Sequence, residues 1–180
     1  MIKIISFYLP QFHEIPENND VWGKGFTEWT NVKKAYPLFF RHNQPRKPLH
    51  ENYYNLLDDG VMDWQVKLAK KAGIYGFCFY HYWFGGRMVL EKPVKILLEN
   101  KQIDFHFCFS WANEPWTKTW HGAGGKKEIS IPQVYGGEEE WKAHYEYFRP
   151  YFMDKRYIKE ENCPILLIYR LRNIPHFNDR

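Results

Sequence analysis

The sequence contains no apolar run long enough to cross a bilayer. Its longest mainly apolar windows, residues 73–80 and 164–169, are strand-sized, whereas a spanning helix needs roughly 20 residues. Membrane insertion is therefore not expected. Cysteine is scarce: Cys78, Cys108 and Cys163 form an odd set whose spacing matches neither a zinc site nor a CxxC redox pair. All three lie in or beside apolar runs, which predicts buried, reduced thiols. The eight histidines show no HExxH or other ligand spacing, so no metal is expected. The glycine runs Gly85-Gly86 and Gly122-Ala123-Gly124-Gly125 lack both the dinucleotide fingerprint and the P-loop Lys-Ser/Thr. They predict turns, and no organic cofactor is expected. No Asp-x-Asp occurs, which weakens a metal-dependent nucleotide-sugar transferase. Basic residues never run beyond Lys-Lys, and a spread-out net charge of +4 supplies no stripe for phosphates, so nucleic acid is a poor partner. Met1 leads straight into a strand-like run without a charged n-region, h-region and cleavage site, and the expectation is a cytoplasmic protein without a signal peptide.

What is present is aromatic. With 44% hydrophobic and 26% charged residues the chain has enough apolar side chain to offset chain entropy, so it folds. Its 180 residues suffice for one domain, yet a closed (β/α)8 barrel typically takes about 250. Four short runs, residues 2–9, 73–80, 105–110 and 164–170, are nearly continuously apolar, as in parallel strands covered on both faces. Between them lie helical patterns. Val61, Trp64, Leu68 and Ala72 recur at helical spacing after the Asp58-Asp59-Gly60 turn, and Gly73 is the stop. Pro93 opens a helix to Asn100, and residues 138–149 carry Trp141, Tyr145 and Phe148 on one core-facing stripe before Pro150 ends or kinks it.

Strands alternating with helices predict an α/β fold of right-handed βαβ units with a parallel sheet. Helix-to-strand joints are short, including a plain segment at 159–163. Strand-to-helix joints are long and rich in aromatic and polar residues; the first, residues 10–60, far exceeds an ordinary βα loop. That side of an α/β fold is where sites are built.

Three clusters follow strands directly: Tyr8-Leu9-Pro10-Gln11-Phe12-His13, extended by residues 22–31 with Glu28 and Trp29; Tyr80-His81-Tyr82-Trp83-Phe84; and Trp111-Ala112-Asn113-Glu114-Pro115-Trp116 with Trp120-His121-Gly122. Each mixes flat rings with carboxylate, amide or imidazole. A pyranose has an apolar C–H face and a hydroxyl-rich edge, so a sugar site needs both surfaces side by side. Any one ring is as well explained as core filling, but polar residues interrupt these clusters where a core would stay apolar. Glu114, after a strand and between Trp111 and Trp116, stands where many barrel glycosidases keep a general acid in apolar surroundings. Such chemistry generally needs a second carboxylate about 5–10 Å away; Glu28 is the best local candidate, and a surface or helix-capping role explains it equally well. His81 is a ligand or proton-transfer candidate, or a satisfied hydrogen-bonding residue behind a buried strand.

In combination, Phe7-Tyr8-Leu9-Pro10-Gln11-Phe12-His13, Trp22-Gly23-Lys24-Gly25-Phe26-Thr27-Glu28-Trp29-Thr30-Asn31-Val32, Gly73-Ile74-Tyr75-Gly76-Phe77 and Trp111-Ala112-Asn113-Glu114-Pro115-Trp116-Thr117 resemble the glycoside hydrolase family 99-like, or WbsX, proteins. The resemblance continues to Pro164-Ile165-Leu166-Leu167-Ile168-Tyr169-Arg170. It implies a (β/α)8 barrel of TIM type and a carbohydrate-active protein of bacterial surface-polysaccharide loci, often labelled glycosyltransferase. It also implies a more distant similarity to family 99 endo-α-mannosidases, whose catalytic glutamates sit on a late Asn-Glu-Trp-x-Glu motif. No Asn-Glu-Trp occurs here.

The expectation is therefore a single partial-barrel domain over residues 1–180, corresponding to the N-terminal four β/α units, with Glu114 binding substrate and catalysis its second option. Tyr8, Gln11, Glu28, Trp29, Tyr80, His81, Tyr82, Trp83, Trp111, Asn113 and Trp116 are the other substrate-binding candidates. The partner is an oligosaccharide or polysaccharide glycan. Open edges at the first and fourth strands predict marginal stability alone, or self-association. Glycosidic hydrolysis leads for the intact domain, with glycosyl transfer and non-catalytic glycan binding as alternatives.

Overall fold

In a computed structural model that describes residues 2–117, 129–175 and 177, each of the four apolar runs contributes one strand of a parallel sheet. Along the chain lie β1 (Ile5–Tyr8), α1 (Pro16–Trp22), α2 (Glu28–Lys34), α3 (Val61–Lys71), β2 (Gly76–Phe84), β3 (Arg87–Val89) and α4 (Lys92–Glu99). There follow β4 (His106–Trp111), β5 (Trp116–Thr117), β6 (Ile129–Ile131), α5 (Glu138–Phe152), β7 (Lys159–Glu160), β8 (Cys163–Pro164) and β9 (Leu166–Ile168). The sheet runs β1-β2-β4-β9, all parallel, with β3 folded back antiparallel on β2. This is the α/β architecture expected from alternating strands and helices.

Register decides what each strand residue can do. Phe77 pairs with Phe107, Cys78 with Cys108, Phe79 with Phe109, Tyr80 with Ser110 and His81 with Trp111. Since side chains alternate along a strand, Phe77, Phe79, His81 and Trp83 share one face with Phe107, Phe109 and Trp111, while Cys78, Tyr80 and Tyr82 share the other with Cys108 and Ser110. The first face meets the helices. Phe79, Phe107 and Phe109 are sealed against Met62 and Val66 of α3, Leu97 of α4, and Phe148 and Tyr151 of α5. The Phe109 ring lies 5.2 Å from that of Phe148 and 5.0 Å from that of Tyr151.

Closeness of β2 and β4 depends on Gly76, where an added Cβ would lie 2.7 Å from the His106 carbonyl oxygen. Gly73, at φ +76°, ends the turn after α3 at the expected stop. Arg156 and Asp154 form a buried ion pair at 2.9 Å. The same guanidinium donates to the carbonyls of Leu98, Asn100 and Ile103, satisfying the open C-terminal end of α4 and the turn into β4. Burial alone would raise the Asp154 carboxyl, but hydrogen bonds from Arg156 and Lys101 outweigh it and hold the group well below the usual carboxylate range.

Several expectations are corrected. Only the central strands are covered on both faces: on β1 and just past β9, Phe7 and Tyr169 are 57% and 51% exposed. α5 does not stop at Pro150 but continues to Phe152, since a proline so near the end removes a single backbone donor while buried Phe148 and Tyr151 anchor the last turns. On the helices Phe148 is core, but Tyr145 and Trp64 are exposed. Cys78 and Cys108 are buried free thiols, whereas Cys163 is exposed. The plain joint at 159–163 is a hairpin, β7 against β8, turned by Glu161 and Asn162 at positive φ. The two short helices α1 and α2, inside the long first loop, carry too few turns to show a period. Among the described residues no helix is long and apolar enough to cross a membrane.

Candidate functional site

The C-terminal ends of β1, β2, β4 and β9 open into a cleft of about 360 Å³. Its walls are Leu9 and Gln11 after β1, Tyr80 and Tyr82 on β2, the segment Ala112 to Thr117 after β4 (without Asn113), and Tyr169 after β9. Of the residues singled out from sequence, Gln11, Tyr80, Tyr82, Glu114 and Trp116 meet here. Tyr80 stacks on Phe7 at 5.4 Å and meets the Tyr169 ring edge-on at 6.5 Å; Tyr82 meets Trp116 edge-on at 5.1 Å. Flat rings in edge-on contact thus line a cleft whose polar groups include an amide, a carboxylate and phenol hydroxyls. Burial, then neighbouring Tyr80, then the negative charge of Glu28 push the Tyr82 phenol up, so it stays a neutral donor. The Glu28 carboxylate therefore acts on the cleft electrostatically, and its backbone N–H reaches the Gln11 carbonyl at 3.4 Å.

Glu114 is not the apolar carboxyl that its tryptophan neighbours in sequence suggested. Its Oε1 accepts a hydrogen bond from Arg170 Nε at 2.9 Å, and its side chain is 41% exposed. Trp111 points away, onto the helix side. This ion pair makes Glu114 an acceptor with one oxygen committed.

Tyr8, His81, Trp83 and Trp111 do not line the cleft. All four belong to the helix-facing side of the sheet, because they differ by one residue in parity from those that do. Tyr8 donates to Gln65 of α3, and Trp83 donates to Glu140 of α5. His81 is buried with its Nε2 2.9 Å from Nε2 of His144, and the Trp83 ring stacks on His144 at 4.5 Å. Burial first, and the facing ring second, hold His81 well below its ordinary value; burial brings His144 down to about 3. His81 is thus a satisfied core residue rather than a ligand. Trp29 also serves packing, in a nest with Phe12, Tyr53 and Tyr54, and its indole donates to the Tyr54 carbonyl at 2.7 Å.

Asn113 is fully buried and works as a clasp. Its Nδ2 donates to the Arg170 carbonyl at 2.8 Å and its Oδ1 accepts the Arg170 N–H at 2.7 Å, so a side chain reproduces a backbone pairing between the loops after β4 and β9. Arg170, held this way, delivers its guanidinium to Glu114. Tyr169 and Arg170 were not among the sequence candidates; their position at the end of the fourth apolar run, on the site-bearing rim, was the available signal. Trp120-His121-Gly122 lie outside the described residues. No group of three metal-ligating side chains occurs among those described.

Comparison with known proteins bears on the fold and on the family. In solved structures the chain is similar to the GH99 endo-alpha-mannosidase of Bacteroides thetaiotaomicron, determined with bis-tris-propane, at a TM-score of 0.55 and 16% identity over 95% of this chain and 43% of that one. That likeness concerns the fold, and it identifies the four parallel strands as part of a TIM-type barrel. The chain is 40% identical over 172 residues to the uncharacterized protein WxcX from two strains of Xanthomonas campestris pv. campestris; the alignment covers 96% of this chain but 24% of the relative. The chain thus spans about a quarter of the length of those relatives. Residues 4–180 match the family model described as glycosyltransferase WbsX, and the chain belongs to that family.

Proposed function

We propose that this chain is the glycan-contacting part of a carbohydrate-active protein, with the cleft at the C-terminal strand ends as its sugar site. The observation that carries this reading is one cleft lined together by the aromatic rings of Tyr80, Tyr82, Trp116 and Tyr169 and by the amide of Gln11 and the carboxylate of Glu114. Rings accept the C–H face of a pyranose, while the amide and carboxylate take its hydroxyls. At about 360 Å³ the cleft suits a short stretch of glycan. Glu114, tied to Arg170, accepts hydrogen bonds from sugar hydroxyls, and Glu28 contributes negative charge beside Tyr82. Tyr8, His81, Trp83, Trp111, Trp29 and Asn113 build the frame behind the site.

In the intact protein the favoured reaction is hydrolysis of a glycosidic bond, an activity that fits the fold shared with the endo-alpha-mannosidase. Glycosyl transfer is the second reading, favoured by the description of the WbsX family. Screening mannose-containing and other bacterial-type oligosaccharides by saturation transfer, followed by calorimetry on the best responder, tests the site. Glu114→Gln and Trp116→Ala should each weaken binding about tenfold, the loss of one charge-assisted hydrogen bond or one stacked face. Unchanged affinity in both variants removes the cleft as the sugar site. Saturation transfer from a nucleotide sugar, in preference to free oligosaccharide, would shift the reading to transfer.

A further inference from the structure

The long segment after β1 carries a surface that the cleft does not use. Tyr36, Leu38, Phe39 and Phe40 are 71%, 73%, 66% and 88% exposed, so four large apolar side chains stand in water within five residues. Scattered exposed hydrophobics are ordinary; a contiguous set of this size marks an interaction surface. The charge around it is one-sided. Residues 29–50 contain Lys33, Lys34, Arg41, Arg46 and Lys47 and no acidic residue. Among the described residues none of the five forms a salt bridge. Lys33 and Arg41 instead lie over the rings of Tyr53 and Phe40, at 4.3 and 5.4 Å. The segment leaves β1 beside Leu9 and Gln11, on the same rim as the cleft.

We propose that residues 33–47 are a docking loop for an anionic bilayer surface. Phe39, Phe40 and Leu38 enter the boundary between headgroups and acyl chains, Tyr36 stands at headgroup depth with its hydroxyl in water, and the cations meet lipid phosphates. The two halves of the surface demand the same partner. A neutral protein groove would match the apolar side chains but leave the positive field unanswered. A polyanion without an apolar phase would answer the field but leave Leu38 and Phe40 in water. An anionic membrane supplies both, and the interaction requires no spanning helix. It is independent of which glycan, if any, occupies the cleft.

Co-sedimentation with vesicles of phosphatidylcholine containing about one third phosphatidylglycerol tests this, with pure phosphatidylcholine as the comparison. The chain should partition onto the anionic vesicles and release at high salt. Phe39→Ser with Phe40→Ser should lower partitioning at least about tenfold, through lost apolar burial. Arg46→Gln with Lys47→Gln should lower it about 25-fold, at roughly fivefold per charge. Because these side chains are exposed, both double variants should melt as the parent does. Absence of binding to anionic vesicles, or variants that partition like the parent, overturns the proposal. So does sedimentation velocity showing that the parent self-associates through these residues, with the phenylalanine variant monomeric and neither binding vesicles.

Discussion

Acidification should unfold this protein through the histidines buried between its sheet and α5. His144 has a pKa of about 3 in the folded chain, because burial disfavours the imidazolium, against an ordinary value of 6.5. The unfolded chain therefore binds a proton that the folded chain refuses between those two values. Stability contributed by the neutral ring is complete above pH 6.5 and is lost as pH falls toward 3. At about 1.4 kcal/mol per pH unit, moving from pH 7.5 to 4.5 removes about 3 kcal/mol through this one side chain. His13, also buried, is lowered to about 4 by burial and by nearby Lys92, and it adds a loss of similar size. Together these approach the whole stability of a marginal domain. His144→Gln isolates the effect, since an amide can still hydrogen bond to His81 but does not titrate. Urea unfolding of both proteins at pH 7.5, 6.0 and 4.5 should show the variant less stable at pH 7.5 yet losing about 3 kcal/mol less on acidification. Parallel pH profiles for parent and variant would refute the argument.

Other perturbations follow from the same packing. Arg156→Met leaves the buried Asp154 carboxylate with Lys101 as its remaining cation and uncaps three carbonyls at the end of α4 and in the turn into β4, so denaturant unfolding should report a loss of about 3 kcal/mol. Gly76→Ala places a Cβ against the His106 backbone, and the forced separation of β2 from β4 should cost about 1–3 kcal/mol in the same assay. A variant as stable as the parent would mean that the two strands adjust more freely than their register suggests.

The strands and main helices are legible in the sequence because their signals are local. Apolar runs near 2–9, 73–80, 105–110 and 164–170 correspond to β1, β2, β4 and β9, and the turn at Asp58-Asp59-Gly60 and the stop at Gly73 bracket α3. The rim is legible too, since long aromatic joints mark the C-terminal strand ends. Individual site residues are harder to assign, because a contiguous cluster need not be one site. Tyr80-His81-Tyr82-Trp83 is a strand, so alternate members face opposite ways, and only packing against α5 decides which pair is turned inward. The period of two by itself separates Tyr80 and Tyr82 from His81 and Trp83, a signal that mixed composition obscures. The roles of Arg156, Arg170 and Asn113 lie beyond such reasoning, even though Asn113 and the rim position of Arg170 stand out in the sequence. Those roles rest on contacts across more than fifty residues of chain, and nothing local in the sequence announces the pairings.

The Asn113 clasp bears on how the cleft responds to whatever enters it. By standing in for a backbone partner to Arg170, the amide joins the loop after β4 to the loop after β9, and so ties the Glu114 side of the cleft to the Tyr169 side. Freedom that these loops would otherwise lose on meeting a ligand is surrendered when the chain folds. For the sugar site proposed above, the cleft is thus preorganised: selectivity there would lie in shape and in fixed polar positions more than in adaptation, and loosening Asn113 should lower the affinity for every ligand alike.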